Sequence, residues 1–310
     1  MMDDATTAVS LDTLARRIAR YAMCDGVHQT DVPGLHLIRS AHPTQEIHTV
    51  HAPALCIVVQ GAKRVVLADQ VIQYDPAHHL LVSFDLPIVG QVIEAMPSRP
   101  YLCLRLDVST DRLAQLATEC LASTDKTVQR PASCPGLCLG ETTAKVLGAA
   151  DRLSRLVETP DDIAVLAPLY ERELLYRVMR TQQGQLAVYN VLGLGRGAQV
   201  ARAITWLRQN YRAPFEMKKL TEFSGLQHSA LHQHFKDITR MTPLQYHKQL
   251  RLHEARRLML FQNRTAAEAA FSVGYESPSQ FSREYHRLFG QPPIRDVETL
   301  SRTFFSPDMP

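Results

Sequence analysis

Residues 266–293 read AAEAAFSVGYESPSQFSREYHRLFGQPP. A short helix runs toward Gly274, and a second begins at Ser277-Pro278. There a side-chain oxygen cap precedes the one residue that loses nothing at the first helical position. Phe281, Tyr285 and Leu288 then recur at i, i+4 and i+7 as one apolar stripe, while Ser279, Gln280, Arg283 and Arg287 fall on the other face. The spacing predicts a short helix with an anchored back and a polar, cationic front.

The same layout occurs about 50 residues upstream, in LTEFSGLQHSALHQHFKDITRMTP, residues 220–243. Gly225 takes the place of Gly274, and Leu231, Phe235 and Ile238 repeat the stripe. A glycine-containing turn between two short helices is the helix-turn-helix arrangement, whose second helix enters a major groove. Between the copies lies TPLQYHKQLRLHEARRLMLF, residues 242–261, with Thr242 as cap and Pro243 as first helical residue. Some 19 helical residues span roughly 28 Å. That length suits two recognition helices held near one DNA turn apart, about 34 Å, on one face of a duplex.

Charge agrees with this. Residues 196–310 carry 17 Lys and Arg against 10 Asp and Glu, whereas residues 1–195 carry 17 against 21. A basic terminal domain joined to an acidic one is what a nucleic-acid reader with a separate sensor would look like, with ordinary surface charge as the alternative. A chain of 310 residues is also too long for one ordinary core. No run of 18 uncharged apolar residues exists, so no membrane-spanning helix is expected. The N-terminus is acidic and then amphipathic, unlike a signal peptide. The six cysteines lack a disulfide-framework rhythm, which points to a reducing, cytoplasmic setting.

The N-terminal half changes texture. After a predicted helix at 11–24, seven β-rich runs lie between residues 35 and 108, including LHLIRS, ALCIVVQG, KRVVLAD and YLCLRLDV. Turn residues separate them, with hairpins expected around Gly61 and Asp69, so a small antiparallel barrel or sandwich is predicted. Residues 110–123 are expected to be helical, 123–141 a loop, and 141–183 helical with a break at ETPDD. Gly184 to Gly197, containing GLGRG, is expected to be an interdomain linker.

These residues resemble a known family. AAFSVGYESPSQFSREYHRLFGQPP is very close to the second helix-turn-helix signature of the AraC/XylS bacterial transcription regulators. LHQHFK, TPLQYHKQLRL and EARRLM match the first recognition helix and the linking helix of that family. The upstream run PALCIVVQGAKRVVLADQVIQYDPAHHLLVSFDLPIVGQV is similar to an AraC-type N-terminal domain. The resemblance implies an α+β multidomain chain, a cupin-like β-barrel with flanking helices followed by an all-α double helix-turn-helix. The expected boundaries are 1–125 for an effector-sensing domain, 126–195 for a helical connector and dimerisation region with linker, and 196–310 for the DNA-binding domain. It further implies double-stranded promoter or operator DNA, a small-molecule effector, RNA polymerase in the case of an activator, and a homodimer as partners. The protein would act in the bacterial cytoplasm at the nucleoid.

Base reading is expected of Ser279, Gln280 and Arg283, because Arg pairs bidentately with guanine and Gln with adenine. Gln280 has a second reading, since Ser277-Pro-Ser-Gln280 is a capping box that would fold it back on the cap. In the first copy the resemblance places base contacts at Ser229, His232 and Gln233, with solvated surface as the alternative for His232. Lys236, Arg251, Ser277 and Arg287 are expected at phosphates. Thr221 and Glu216 depart from the family's usual Ala and Ser or Thr cap, so the first half-site is expected to be read more weakly.

His48, His51, Cys56, Val58 and Arg64 are the candidate effector residues of the N-terminal domain. His48 with His51, or the adjacent pair His78-His79, invites a metal reading, but no H-x-H precedes a suitably spaced Glu. Cys134 and Cys138 lack a second zinc-ligand pair. No metal, cofactor or catalytic residue is therefore assigned, and the chain is not expected to be an enzyme. A cupin-type oxygenase or isomerase with a DNA-binding appendage is the rival, separated by stoichiometric metal in purified protein. A ligand-independent DNA-binding protein whose barrel only mediates assembly is a third reading.

Overall fold

The structure, a computed structural model, describes residues 2–122, 136–181, 184 and 197–305. The chain divides into two compact units, one of Met1–Ile47 and His51–Ala198, the other of His48–Val50 and Gln199–Pro310. No helix among the described residues is long and apolar enough to cross a membrane.

Ten strands are described: β1 (Gly26–Gln29), β2 (Leu35–Ser40), β3 (Ile47–His51), β4 (Ala54–Gln60), β5 (Ala62–Leu67), β6 (Gln70–Tyr74), β7 (His78–Val82), β8 (Leu86–Glu94), β9 (Tyr101–Asp107) and β10 (Leu137–Glu141), all in the N-terminal unit except the middle of β3, His48–Val50, which groups with the other. They form a six-stranded sheet in the order β1-β2-β9-β4-β7-β10 and a four-stranded sheet in the order β3-β8-β5-β6. The fold is the cupin-like β-rich one expected, with its strands in two open sheets rather than one closed barrel.

Two local expectations are corrected. Gly61 makes no hairpin, because β4 and β5 belong to different sheets. It is the corner where the chain changes sheet, at φ +79°, and a Cβ there would lie 2.3 Å from the Glu94 carbonyl oxygen. The hairpin at Asp69 does form, with Leu67 opposite Gln70. Part of the expected loop at 123–141 is strand: β10 pairs with β7 from Leu137 opposite Val82 to Glu141 opposite His78. Residues 123–135 lie outside the described residues.

The six-stranded sheet is covered on both faces, which is why ALCIVVQ reads as one apolar run instead of alternating. Leu55, Ile57 and Val59 of β4 pack into a core with helix α1 (Met2–Tyr21), α3 (Ala144–Arg155) and α4 (Ile163–Met179). The intervening Ala54, Cys56 and Val58 are equally buried, at 0, 4 and 0% exposure, on the face turned to the four-stranded sheet. Helix α2 (Thr110–Ala122) follows β9, and two 3-10 turns, Leu156–Glu158 and Pro160–Asp162, make the break between α3 and α4. Arg17 ties α1 to α3, donating to Asp151 Oδ1 at 2.5 Å and Ser154 Oγ at 2.9 Å.

The C-terminal unit consists of α5 (Gly197–Gln209), α6 (Met217–Ser224), α7 (His228–Thr239), α8 (Pro243–Gln262), α9 (Ala266–Ser272), α10 (Pro278–Phe289) and α11 (Pro293–Phe305). Most of the expected linker, 185–196, lies outside the described residues. Helix α8 begins with a full capping box: Thr242 Oγ1 accepts from Gln245 N–H at 3.2 Å, and Gln245 Oε1 accepts from Thr242 N–H at 2.9 Å. It serves both copies. Tyr246 packs edge-on to Phe235, with ring centroids 5.4 Å apart. Leu252, Ala255, Leu258 and Met259 join the core around Phe281, Tyr285 and Phe289. Burying each large side chain fully contributes about 1.5–3 kcal/mol.

Candidate nucleic-acid interface and inter-sheet cluster

Helix α10 is placed by its turn. Gly274, at φ +89°, lets the backbone approach so closely that a Cβ would sit 2.1 Å from the Arg212 carbonyl oxygen. Ser277 then caps the helix, its Oγ accepting from Gln280 N–H at 3.4 Å. Phe281 and Tyr285 are fully buried, which turns Ser279, Gln280, Arg283 and Arg287 outward, all exposed. The two readings of Gln280 separate here. Its amide donates to Glu284 Oε1 at 3.2 Å instead of folding back on the cap. Arg283 Nε donates to the Ser279 carbonyl at 3.3 Å, and its side chain is exposed.

Glu284 was not singled out by the sequence, yet it organises this helix. It accepts from Tyr275 Oη at 2.8 Å and from Lys248 Nζ at 2.8 Å, as well as from Gln280. Burial would raise its carboxyl, but the hydrogen bonds from Lys248, Tyr275 and Gln280 hold it below its ordinary value. The Gln280–Glu284 spacing of four was the only local signal available. Behind the helix, Arg256 donates to both oxygens of Asp296 at 2.7 and 2.6 Å, and Tyr285 Oη donates to Asp296 Oδ2 at 2.6 Å. Arg256 and Asp296 are 8 and 6% exposed, so this is a buried pair.

Helix α7 presents the corresponding face with less support. Neither Gln227 before α7 nor Glu216 before α6 makes a side-chain cap. Ser229, Gln233 and Lys236 are exposed and His232 is half-buried. Gln233 donates to Asp237 Oδ1 at 2.9 Å, the counterpart of Gln280 with Glu284.

Arg251, expected at a phosphate, is corrected. Its guanidinium donates to four internal carbonyl oxygens, of Tyr211 (2.6 Å), Ala213 (2.7 Å), Gly274 (3.1 Å) and Arg212 (3.2 Å). It also lies over the Tyr275 ring at 5.8 Å. A group holding that many carbonyls fastens the 211–213 turn to the turn before α10 and has committed four of its five N–H donors inside the unit.

Among the candidate effector residues, the structure brings together only some. Cys56 and Val58 share the inter-sheet face of β4, and Cys56 Sγ lies 4.0 Å from His51 Nε2. Arg64 does not join them. It projects from the opposite face of β5 to buried Val65 and Leu67, bonded to Glu46 Oε1 at 3.0 Å and Gln91 Oε1 at 2.6 Å. The cation on the inward face is its neighbour Lys63, which the sequence reading missed by one residue. His48 belongs to the short segment grouped with the C-terminal unit. The Cys103 thiol next to Cys56 lowers the Cys56 pKa well below its ordinary value, with help from His51 and Lys63. The same pairing raises Cys103, and burial raises Tyr74 and Tyr101.

His78 and His79 face opposite sides, as strand geometry demands. His78 bonds Asp75 at 2.9 Å, whereas His79 is buried and its pKa is lowered by burial to about 4. Among the described residues no group of three His, Cys, Asp or Glu side chains is positioned to hold a metal.

Comparison with known proteins agrees with this architecture. Residues 31–186 match the family described as the AraC-type transcriptional regulator N-terminus, and residues 220–297 match a helix-turn-helix domain. The HTH-type transcriptional activator RhaS of Yersinia pestis bv. Antiqua (strain Angola) is 27% identical over 139 residues, 45% of this chain and 48% of that one. The chain thus spans about half the length of the curated relatives it matches. Among solved structures, ToxT from Vibrio cholerae superposes with a TM-score of 0.57 at 8% identity, covering 85% of this chain and 97% of that one. Unsaturated-fatty-acid-bound ToxT from strain SCE256 gives 0.55 at 9%, covering 88% and 96%. At such identity the likeness shows the fold. With the AraC-type match spanning half of the chain and a helix-turn-helix match following it, the protein belongs to the AraC family of transcriptional regulators.

Proposed function

We propose that this chain is a sequence-specific DNA-binding regulator whose α7 and α10 read adjacent major-groove segments and whose N-terminal domain binds a small-molecule effector. The observation that carries the reading is the pairing of two recognition helices, each with a buried apolar back and an exposed polar front, on one linking helix. Ser279, Gln280 and Arg283 read bases from α10, and Ser229, His232 and Gln233 from α7. Lys236, Arg287 and Ser277 contact phosphates. Residues 1–125 form the sensor, 126–195 the connector and 196–310 the reader.

The effector occupies the space between the sheets near His51, Cys56 and Val58 and shifts a population between DNA-competent and less competent arrangements. ToxT, of similar fold, has been captured with an unsaturated fatty acid, which makes an apolar acid the first class to try. RNA polymerase is a partner if the protein activates, as RhaS is named for doing. Exposed Val165 and Leu169 on α4 support a homodimer contact.

The test is selection of bound fragments from sheared genomic DNA by the purified full-length chain. Enrichment of a bipartite motif, halves about one turn apart, is the expected result. No enrichment by either the full chain or residues 193–310 would overturn the reading.

A further inference from the structure

The inter-sheet face of β4 and β9 carries two thiols. Cys56 stands opposite Arg105 in the ladder and Val58 opposite Cys103. Cys56 and Cys103 are therefore diagonal neighbours on one face. They are 4 and 1% exposed. A buried strand cysteine is ordinarily a small hydrophobe. Three features set this pair apart.

First, a base is aimed at it. His51 Nδ1 lies 2.7 Å from the Ala52 carbonyl oxygen, which can only accept, so Nδ1 carries the proton. In the neutral ring Nε2 then turns its lone pair to Cys56 Sγ at 4.0 Å. Second, Lys63 adds positive charge beside both sulfurs, which favours the thiolate at Cys56. Third, the fully buried Tyr101 hydroxyl, close to Cys103, meets no hydrogen-bond partner among the described residues. It is a spare donor for an oxygen carried on sulfur.

We propose that Cys56 and Cys103 form a hydroperoxide-responsive dithiol, with Cys56 the attacking sulfur, His51 its base and Cys103 the resolving thiol. Cys56 passes its proton to His51 and attacks the terminal oxygen of the hydroperoxide. The O–O bond breaks, and the departing oxygen takes the proton from His51 to leave as water or an alcohol. Cys56 is left as the sulfenic acid. Cys103 attacks that sulfur, the S–S bond forms, and the S–O bond breaks with release of water carrying the Cys103 proton. Two electrons pass from the thiols to the peroxide. The cross-link ties β4 to β9 beside Val58. Its effect on DNA binding rests on the function proposed above, whereas the chemistry itself does not.

The test uses full-length protein, dilute hydrogen peroxide and peptide mass spectrometry without reductant, so it involves no DNA. The expected result is a peptide linking Cys56 to Cys103, formed before the exposed Cys24 is oxidised. In Cys103→Ser, dimedone should trap the sulfenic acid at Cys56. His51→Ala, at a half-buried site, should slow disulfide formation roughly tenfold, since the thiolate then loses its base. Oxidation of Cys24 while Cys56 and Cys103 both stay reduced would overturn the proposal. If Cys103→Ser does not fold, the wild-type cross-link and the His51→Ala rate decide it.

Discussion

The two helix-turn-helix copies share a layout but not the means of holding it. In the second copy every joint is secured. Thr265 and Glu268 form a full capping box before α9, Ser277 and Pro278 open α10, and Glu284 gathers Lys248, Tyr275 and Gln280. In the first copy α6 and α7 both begin without a side-chain cap. Its Gln233 rests on the half-buried Asp237, whose other carboxylate oxygen has His234 Nδ1 at 3.9 Å. A reader built from one pre-organised helix and one less constrained helix should bind one half-site with most of its specificity and the other with more tolerance.

The largest way to break this contrast is Asp296→Ala. It leaves Arg256 charged and buried and Tyr285 Oη unpaired behind α10. Removing one partner of such a pair costs about 3–5 kcal/mol, read as a drop in the denaturation midpoint of the C-terminal unit. A shift under about 1 kcal/mol would mean the pair does not hold the second copy.

At the interface, Arg283→Ala should cost about 1–3 kcal/mol and relax preference at one base pair. Gln233→Ala on the first helix should cost less and broaden the motif less. Equal effects in a competition assay against a randomised operator would erase the distinction between the copies.

Acid should loosen the first copy through His247. This side chain packs near Phe215, with ring centroids 5.6 Å apart, and burial lowers its pKa from 6.5 to about 4. The folded state holds it neutral, while the unfolded chain takes up a proton below about pH 6.5. Stability is therefore full above that pH and is lost as pH falls toward 4. The difference at pH 5 is about 2 kcal/mol for this residue alone. Urea titrations at pH 7 and pH 5 should show it, and His247→Gln should flatten that dependence.

Supplying the missing cap should sharpen the comparison from the other side. Glu216→Thr gives α6 a side-chain acceptor and is expected to stabilise by about 0.5–1 kcal/mol. The smallest effect belongs to Lys236→Ala, which should weaken all sequences alike and reduce the salt slope by about one unit. A sequence-selective loss would move Lys236 from phosphate to base.

What the sequence made legible was local. The start of α10 could be read because Ser277, Pro278 and the stripe of Phe281, Tyr285 and Leu288 lie within one short segment. The strand β10 could not, because Leu137 is a strand only by pairing with Val82, far away in the chain. Arg251 looked like a phosphate ligand until four carbonyls from two other turns came to meet it. Between the sheets, alternation told which residues share a face but not which face is inside, so Arg64 was chosen over Lys63. Cys56 and Cys103, widely separated in sequence, became neighbours only through the β4–β9 register.

The central claim is that one chain reads two half-sites through two helices on one rigid linker. Its most direct test inserts five base pairs between the halves of a selected operator, which rotates them by about half a DNA turn to opposite faces. Affinity should then fall to that of a site carrying the α10 half alone. Unchanged affinity across the insertion would contradict the account, since it would mean the two helices do not bind together.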